Sequence, residues 1–143
     1  NVFFFFLQNS NAISNMMQYN VLDRCAEEYF SAIEKTGASV VTRGSIAKGL
    51  LTSEWQKRLK PYMTYNEKEL YQLLNTLQQH YESLHSAALA WNLQHSVVAS
   101  TVIGARTKEQ LEENLTAYQQ IHALPTLDVI EKETKKEVYN NHR

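Results

Sequence analysis

Three times along this chain a short apolar run gives way to a turn and then to a stretch of helical periodicity. That order constrains the fold more than any single residue does. A strand, a helix and a second strand of the same sheet call for parallel strands joined by helical crossovers. The apolar runs fall at roughly 12–19, 38–43 and 97–103, so an α/β fold with about three parallel strands and flanking helices is expected. Parallel sheets are covered on both faces and ordinarily contain more strands than this. A three-stranded piece leaves open edges. The pattern therefore reads as part of a larger α/β sheet or barrel.

Turn chemistry sets the helix boundaries. Gly37 is a natural stop for a helix over about 25–36, with Tyr29 and Ile33 on its apolar face beside Phe30 and Ala26. The second run leads into a long connection through Trp55, Pro61 and Tyr65, and such length marks a functional loop or disorder. Asn66 and Glu69 have the spacing that opens a helix, expected to reach about 82. Another helix is expected over about 83–95, largely buried through Ala87, Ala88, Leu89, Ala90 and Trp91. The third run feeds a helix over about 107–123. Pro125 and Thr126 begin a last helix, with apolar Leu127, Ile130 and Val138 among many lysines and glutamates, and its polarity predicts a surface position.

Composition removes several function classes. Fourteen basic and fifteen acidic side chains leave a formal net charge of −1, so no basic surplus advertises nucleic acid. The lysine-rich stretch 131–137 reads as a solvated helix face. A single cysteine, Cys25, excludes an intrachain disulfide and a thiolate metal cluster and fits a reducing cytoplasm. No apolar run reaches membrane-spanning length. Four consecutive phenylalanines, Phe3 to Phe6, would invite aggregation if exposed. They are expected to be buried, or the natural protein to begin elsewhere; with no initiating Met, the chain reads as trimmed or partial.

The stretch Val98-Ala-Ser-Thr-Val-Ile-Gly-Ala-Arg-Thr-Lys-Glu-Gln-Leu-Glu-Glu-Asn114 is a buried strand, a glycine turn and a helix start carrying an arginine. Helix N-termini bind anions through free N–H groups and the macrodipole, and Arg106 suits bidentate phosphate recognition. Thr107 and Gln110 have capping-box spacing. Arg106, Gln110 and Asn114 follow at intervals of four and share one side of the first turns, with Glu113 beside them. Leu111, Leu115, Tyr118 and Ile121 take another side, expected to pack. An ordinary strand–turn–helix joint with a solvated arginine has the same local sequence.

Four blocks carry a resemblance: Met17-Gln-Tyr-Asn-Val-Leu-Asp-Arg24, Thr42-Arg-Gly-Ser-Ile-Ala-Lys-Gly-Leu-Leu-Thr52, Ala87-Ala-Leu-Ala-Trp91 and Val102-Ile-Gly-Ala-Arg-Thr-Lys-Glu-Gln-Leu-Glu-Glu-Asn114. In order and spacing they resemble the aldo-keto reductase superfamily, closest to the bacterial branch related to potassium-channel β-subunits. The resemblance implies a TIM-type (β/α)8 barrel of about twice this length, with residues 1–143 as its C-terminal, NADPH-binding half. It implies reduction of aldehydes or ketones and a small-molecule carbonyl substrate. Barrel enzymes place their sites at the C-terminal ends of the strands, with phosphate sites recurring after strands seven and eight.

By this resemblance Arg43, Gly44, Ser45, Ile46, Ala47 and Lys48 wrap the nicotinamide ribose and pyrophosphate. Gly104, Arg106, Gln110, Glu113 and Asn114 grip the 2′-phosphate and adenine, and Arg106 stands where the family selects NADPH over NADH. Departures accompany the match. Arg43 replaces a common aromatic ring, though some bacterial branches also have arginine there, and Ser45 replaces a proline. A family glutamine aligns with Met16, while Gln18, two residues on and on the same strand face, is a substitute for it. Glu54 stands where a relative has a phosphate-contacting lysine. The catalytic Asp, Tyr, Lys and His of the family lie in its N-terminal half. None of Asp23, Tyr19, Lys48 or the five histidines matches those motifs, so the chain alone is expected to be inactive.

Other residues carry two readings each. His80 and His85 share no helix face well and read as surface or packing residues. Cys25 opens a helix, a position that lowers a thiol pKa, and also suits plain burial. Trp55, Tyr62 and Tyr65 form either an aromatic lid or a plug that packs the loop down. At the level of function, the alternative to half of a reductase is a non-catalytic NADP(H)-binding half-barrel, acting as a sensor or oligomerising subunit. Such a module would self-associate or pair with a missing N-terminal half.

Overall fold

The computed structural model describes residues 2–136; Val138 lies outside them. Nine main elements follow one another: α1 (Val2–Asn9), β1 (Ser14–Gln18), α2 (Glu27–Glu34), β2 (Ser39–Arg43), α3 (Glu67–His80), α4 (Leu84–Leu93), β3 (Val98–Val102), α5 (Lys108–Gln119) and α6 (Asp128–Glu133). The three strands form one parallel sheet in the order β1-β2-β3, as the strand–helix alternation requires. Each strand is shorter than its apolar run, because the flanking residues leave the ladder for turns.

The register decides which side chains share a face. Ser14, Met16 and Gln18 stand opposite Ser39, Val41 and Arg43, and Val41 and Arg43 stand opposite Ser100 and Val102. These residues line one face, where Met16 and Val102 are exposed. The alternate residues Val40 and Thr42 are fully buried under α2 and α4, which cover the other face. A register shift at Val40/Val41 inserts one extra β3 residue and restores the alternation beyond it.

The helix boundaries follow the caps. Gly37 adopts φ +76° beyond α2, the left-handed stop expected of it. Asn66 and Glu69 make a reciprocal capping box, each bond 2.9 Å, and Ser83 caps α4. The core gathers Tyr19, Ile33, Trp55, Leu70, Leu74, Leu77 and Trp91. α6 is a surface helix anchored by Ile130, which is buried.

The expectation that α5 packs through its apolar stripe is overturned, whereas of Phe3 to Phe6, expected to be buried or to mark a chain that begins elsewhere, only Phe5 and Phe6 have described side chains. Phe5 and Phe6 on α1 are exposed and touch edge to face at 6.1 Å. On α5, Leu111, Leu115 and Tyr118 are 50%, 54% and 53% exposed, and only Ala117 is buried. The reason is positional. α5 packs against α4 and the 3-10 turn Ile121–Ala123, and β3 beneath it is an edge strand. The apolar stripe faces a side with no further strand among the described residues.

Candidate functional site

The site grows from the C-terminal ends of β1 and β2. Gln18 and Arg43 are partners in the ladder, so their side chains emerge together on the open face. Arg43 Nη1 donates to Gln18 Oε1 at 3.0 Å, and Gln18 Nε2 donates to Asp23 Oδ2 at 2.8 Å. The expected stand-in for the family glutamine is thus tethered at both ends of its amide. Met16, the residue aligned with that glutamine, stays exposed on the same face.

The turn after β2 is strained. Gly44 has φ +71°, and Ala47, Lys48 and Gly49 follow with φ +47°, +57° and +91°. Left-handed non-glycine residues cost on the order of 1–3 kcal/mol each and cluster at ligand clamps. The turn is held by internal bonds, Ala47 N–H to the Gly44 carbonyl at 2.9 Å and Gly49 N–H to the Ile46 carbonyl at 2.8 Å. Ser45 is buried, its hydroxyl paired with that of Thr101 on β3. Lys48 lines a cavity of about 310 Å³ with Lys57, Arg58, Lys60 and Tyr62, a cationic wall suited to an anion. Glu54 is paired with Lys57 on the surface, which occupies the carboxylate found in place of a lysine.

The turn after β3 is open. Gly104 and Arg106 are exposed, and a Cβ on Gly104 would meet nothing within 4 Å. Thr107 caps α5 by accepting from Gln110 N–H at 3.3 Å. The reciprocal bond differs from a capping box, because Gln110 Oε1 accepts from Arg106 N–H at 2.8 Å. The Gln110 carbonyl thereby braces the Arg106 backbone. Neither Arg43 nor Arg106 has a carboxylate partner among the described residues. Glu113 opens instead onto a cleft of about 590 Å³ with Thr52, Ser53, His85, Glu109 and Glu112, while Asn114 is half-buried.

Sequence reading missed the residues that join these turns. Asn20 is fully buried; its Nδ2 donates to the Gly44 carbonyl at 2.9 Å and to Tyr62 Oη at 3.0 Å. The signal was present: Asn20 and Asp23 are three apart in the β1 turn, a spacing that closes tight turns. Their targets lie far along the chain, so their partners were invisible. Tyr62 is therefore a clamp of the loop. Trp55 is buried with Nε1 bonded to Gln78 Oε1 at 2.9 Å, and Tyr65 is buried under Lys135. Of the two readings of these aromatics, the structure favours packing.

Beneath the β1 end lies a buried ionic cluster. Arg24 bonds Glu27 at 2.8 Å and Glu131 at 2.8 Å, and lies 4.8 Å from the Trp91 ring centre. Tyr19 Oη donates to Glu27 at 2.8 Å and contacts His95 Nε2 at 2.7 Å. Burial opposes ionisation of Glu27, but hydrogen bonds from Arg24 and Tyr19 outweigh it and hold the carboxyl below its ordinary range. His95 is thus a packing residue, and burial lowers its pKa. Cys25 is buried.

A family model described as the aldo/keto reductase family matches residues 8–130. The oxidoreductase YqkF of Bacillus subtilis is 33% identical over 148 aligned positions, covering 96% of this chain and 48% of that protein. A pyridoxal 4-dehydrogenase of Microbacterium luteolum is 27% identical over 72% of this chain and 32% of its own length. The apo form of an aldo-keto reductase from Bacillus halodurans superposes with a TM-score of 0.86 at 38% identity, covering 99% of this chain and 50% of that one. Its holo form gives 0.84 at 36% identity, with 99% and 49% covered. The chain spans about half the length of these barrel relatives or less.

Proposed function

This chain belongs to the aldo/keto reductase family, and from that premise we propose that residues 1–143 are the cofactor-binding half of an NADPH-dependent reductase of aldehydes or ketones. The observation that carries the reading is the Arg43–Gln18 pair at neighbouring strand ends, placed beside a left-handed turn. That location is where barrel enzymes build their sites.

In this reading Gln18 and Arg43 orient the nicotinamide portion. Gly44, Ser45, Ile46, Ala47 and Lys48 hold the pyrophosphate, and the cationic cavity around Lys48 supports that assignment. Gly104 lets backbone approach the ligand. Arg106 takes the 2′-phosphate, with its backbone braced by Gln110, and Glu113 and Asn114 take the adenine. When bound, the dinucleotide would supply a hydride to the carbonyl carbon. The proton that completes the alcohol would come from residues outside this chain, since none here matches the family's catalytic Asp, Tyr, Lys or His. We place the protein in the cytoplasm; no helix among the described residues is long and apolar enough to cross a membrane.

The exposed stripe of Leu111, Leu115 and Tyr118 and the edges of β1 and β3, which no further strand pairs among the described residues, support association with a complementary half-barrel. Without one, the same observation favours a non-catalytic NADP(H)-binding module that self-associates.

Fluorescence titration with NADPH and NADH tests the reading. Saturable NADPH binding, weaker NADH binding and loss of that preference in Arg106→Glu are expected. Equal affinity for both nucleotides in the unaltered chain would overturn the assignment of Arg106.

A further inference from the structure

We infer that Asp23 is a positioning residue: it fixes the direction of the Gln18 side-chain amide and thereby seats the Arg43 guanidinium at the mouth of the proposed site. The inference rests on the reading that Arg43 faces the nucleotide.

The chemistry of the three groups gives the relay a single polarity. An ionised carboxylate only accepts hydrogen bonds and a guanidinium only donates them. An amide lying between the two satisfies both in one orientation alone, with its NH2 toward Asp23 and its carbonyl toward Arg43. That is the arrangement found, at 2.8 Å and 3.0 Å. Asp23 is itself held in place. It is 4% exposed, and its backbone exchanges bonds of 3.1 and 3.0 Å with Asn20. Asn20 Oδ1 in turn accepts from Leu22 N–H at 2.8 Å. A buried, rigid acceptor therefore governs an exposed, flexible donor through one intervening amide. Arginine has many accessible rotamers, so an exposed guanidinium without such a tether would spread over many positions.

The same turn also sets the backbone beside Arg43. Asn20 Nδ2 holds the Gly44 carbonyl, so the β1 turn positions both the side chain of Arg43 and the main chain that follows it.

Asp23→Asn is the informative change. It keeps the shape but offers a donor as well as an acceptor, so Gln18 can reverse and present its own NH2 to Arg43. In the molecules where it reverses, two donors face each other and the guanidinium is released. In the ligand-free chain, 15N relaxation of the Arg43 Nε–H is expected to show a lower order parameter in Asp23→Asn than in the unaltered chain. NADPH affinity is expected to fall about fivefold to tenfold, within the range of one ordinary hydrogen bond. In an Arg43→Met background the same change is expected to do nothing further. An unchanged Arg43 order parameter, or a full additive loss in the Arg43→Met background, would overturn the role of Asp23. If Asp23→Asn loosens Arg43 but neither it nor Arg43→Met alters NADPH affinity, the relay stands and the nucleotide reading fails. Gln18→Met interrupts the relay while leaving Asp23 in place, and must reproduce the loosening even if Asp23→Asn folds poorly.

Discussion

Arg24 and Glu131, 107 residues apart, meet in a bond of 2.8 Å that ties α6 to the turn after β1. The two partners differ in burial: the Arg24 side chain is 1% exposed and that of Glu131 is 55%. Arg24 also serves Glu27, whose side chain is 9% exposed. Removing the arginine leaves a buried carboxylate with only the Tyr19 hydroxyl and the solvent-exposed Lys136 ammonium as partners. Arg24→Met is therefore expected to lower unfolding stability by about 3–5 kcal/mol. Glu131→Gln removes only a solvent-screened partner and is expected to cost about 0.5–1 kcal/mol. Urea denaturation of both variants checks the ranking, and equal losses would contradict it.

Acidification is expected to destabilise the chain in two stages. Burial holds the imidazoles of His85 and His95 below their ordinary value of 6.5. The unfolded chain then takes up protons first, so their contribution is full above pH 6.5 and is lost as pH falls to the lower folded values. Glu27 has the same sign from its ordinary value of 4.5. Its contribution is full above pH 4.5 and disappears as pH drops through its depressed folded value. Calorimetry should show Tm declining below pH 6.5 and again below 4.5. His85→Gln with His95→Gln should remove the first decline and keep the second.

Two glycines of the β2 turn should respond differently to alanine. A Cβ on Gly44 would meet Gln18 Cγ at an ordinary 3.6 Å, so only its φ of +71° is penalised. A Cβ on Gly49 would lie 2.5 Å from Arg58 Cδ as well as sitting at φ +91°. Gly44→Ala is expected to cost about 1 kcal/mol and Gly49→Ala about 2–3 kcal/mol. Thermal melts of the pair test this, and Gly49→Ala combined with Arg58→Ala should recover part of the larger loss.

The stripe on α5 should be dispensable for the fold of this chain and required for association. Leu111→Glu with Leu115→Glu changes residues that are half exposed, where substitutions ordinarily fall within about 0.5 kcal/mol. Sedimentation velocity should show any self-associated species of the unaltered chain, or its complex with an N-terminal half-barrel, dissociating in the double variant while Tm holds. A large fall in Tm would show that the stripe is core.

Local chemistry was enough to place most elements. Gly37, Asn66, Ser83 and Thr107 mark helix ends through short-range bonds, and strand–helix alternation implied the parallel sheet with its open edges. What the sequence alone could not determine depends on residues brought together from afar. Leu111, Leu115 and Tyr118 have core periodicity, yet burial depends on whether something lies opposite, and among the described residues no strand does. Gln110 has capping-box spacing, but its carbonyl turns one residue further out to Arg106. Asn20 and Asp23 read as ordinary turn residues until folding carries Gly44, Tyr62 and the Gln18–Arg43 pair beside them. Spacing along a chain specifies the faces of a helix or strand; only the tertiary structure decides which of those faces meets protein and which meets water.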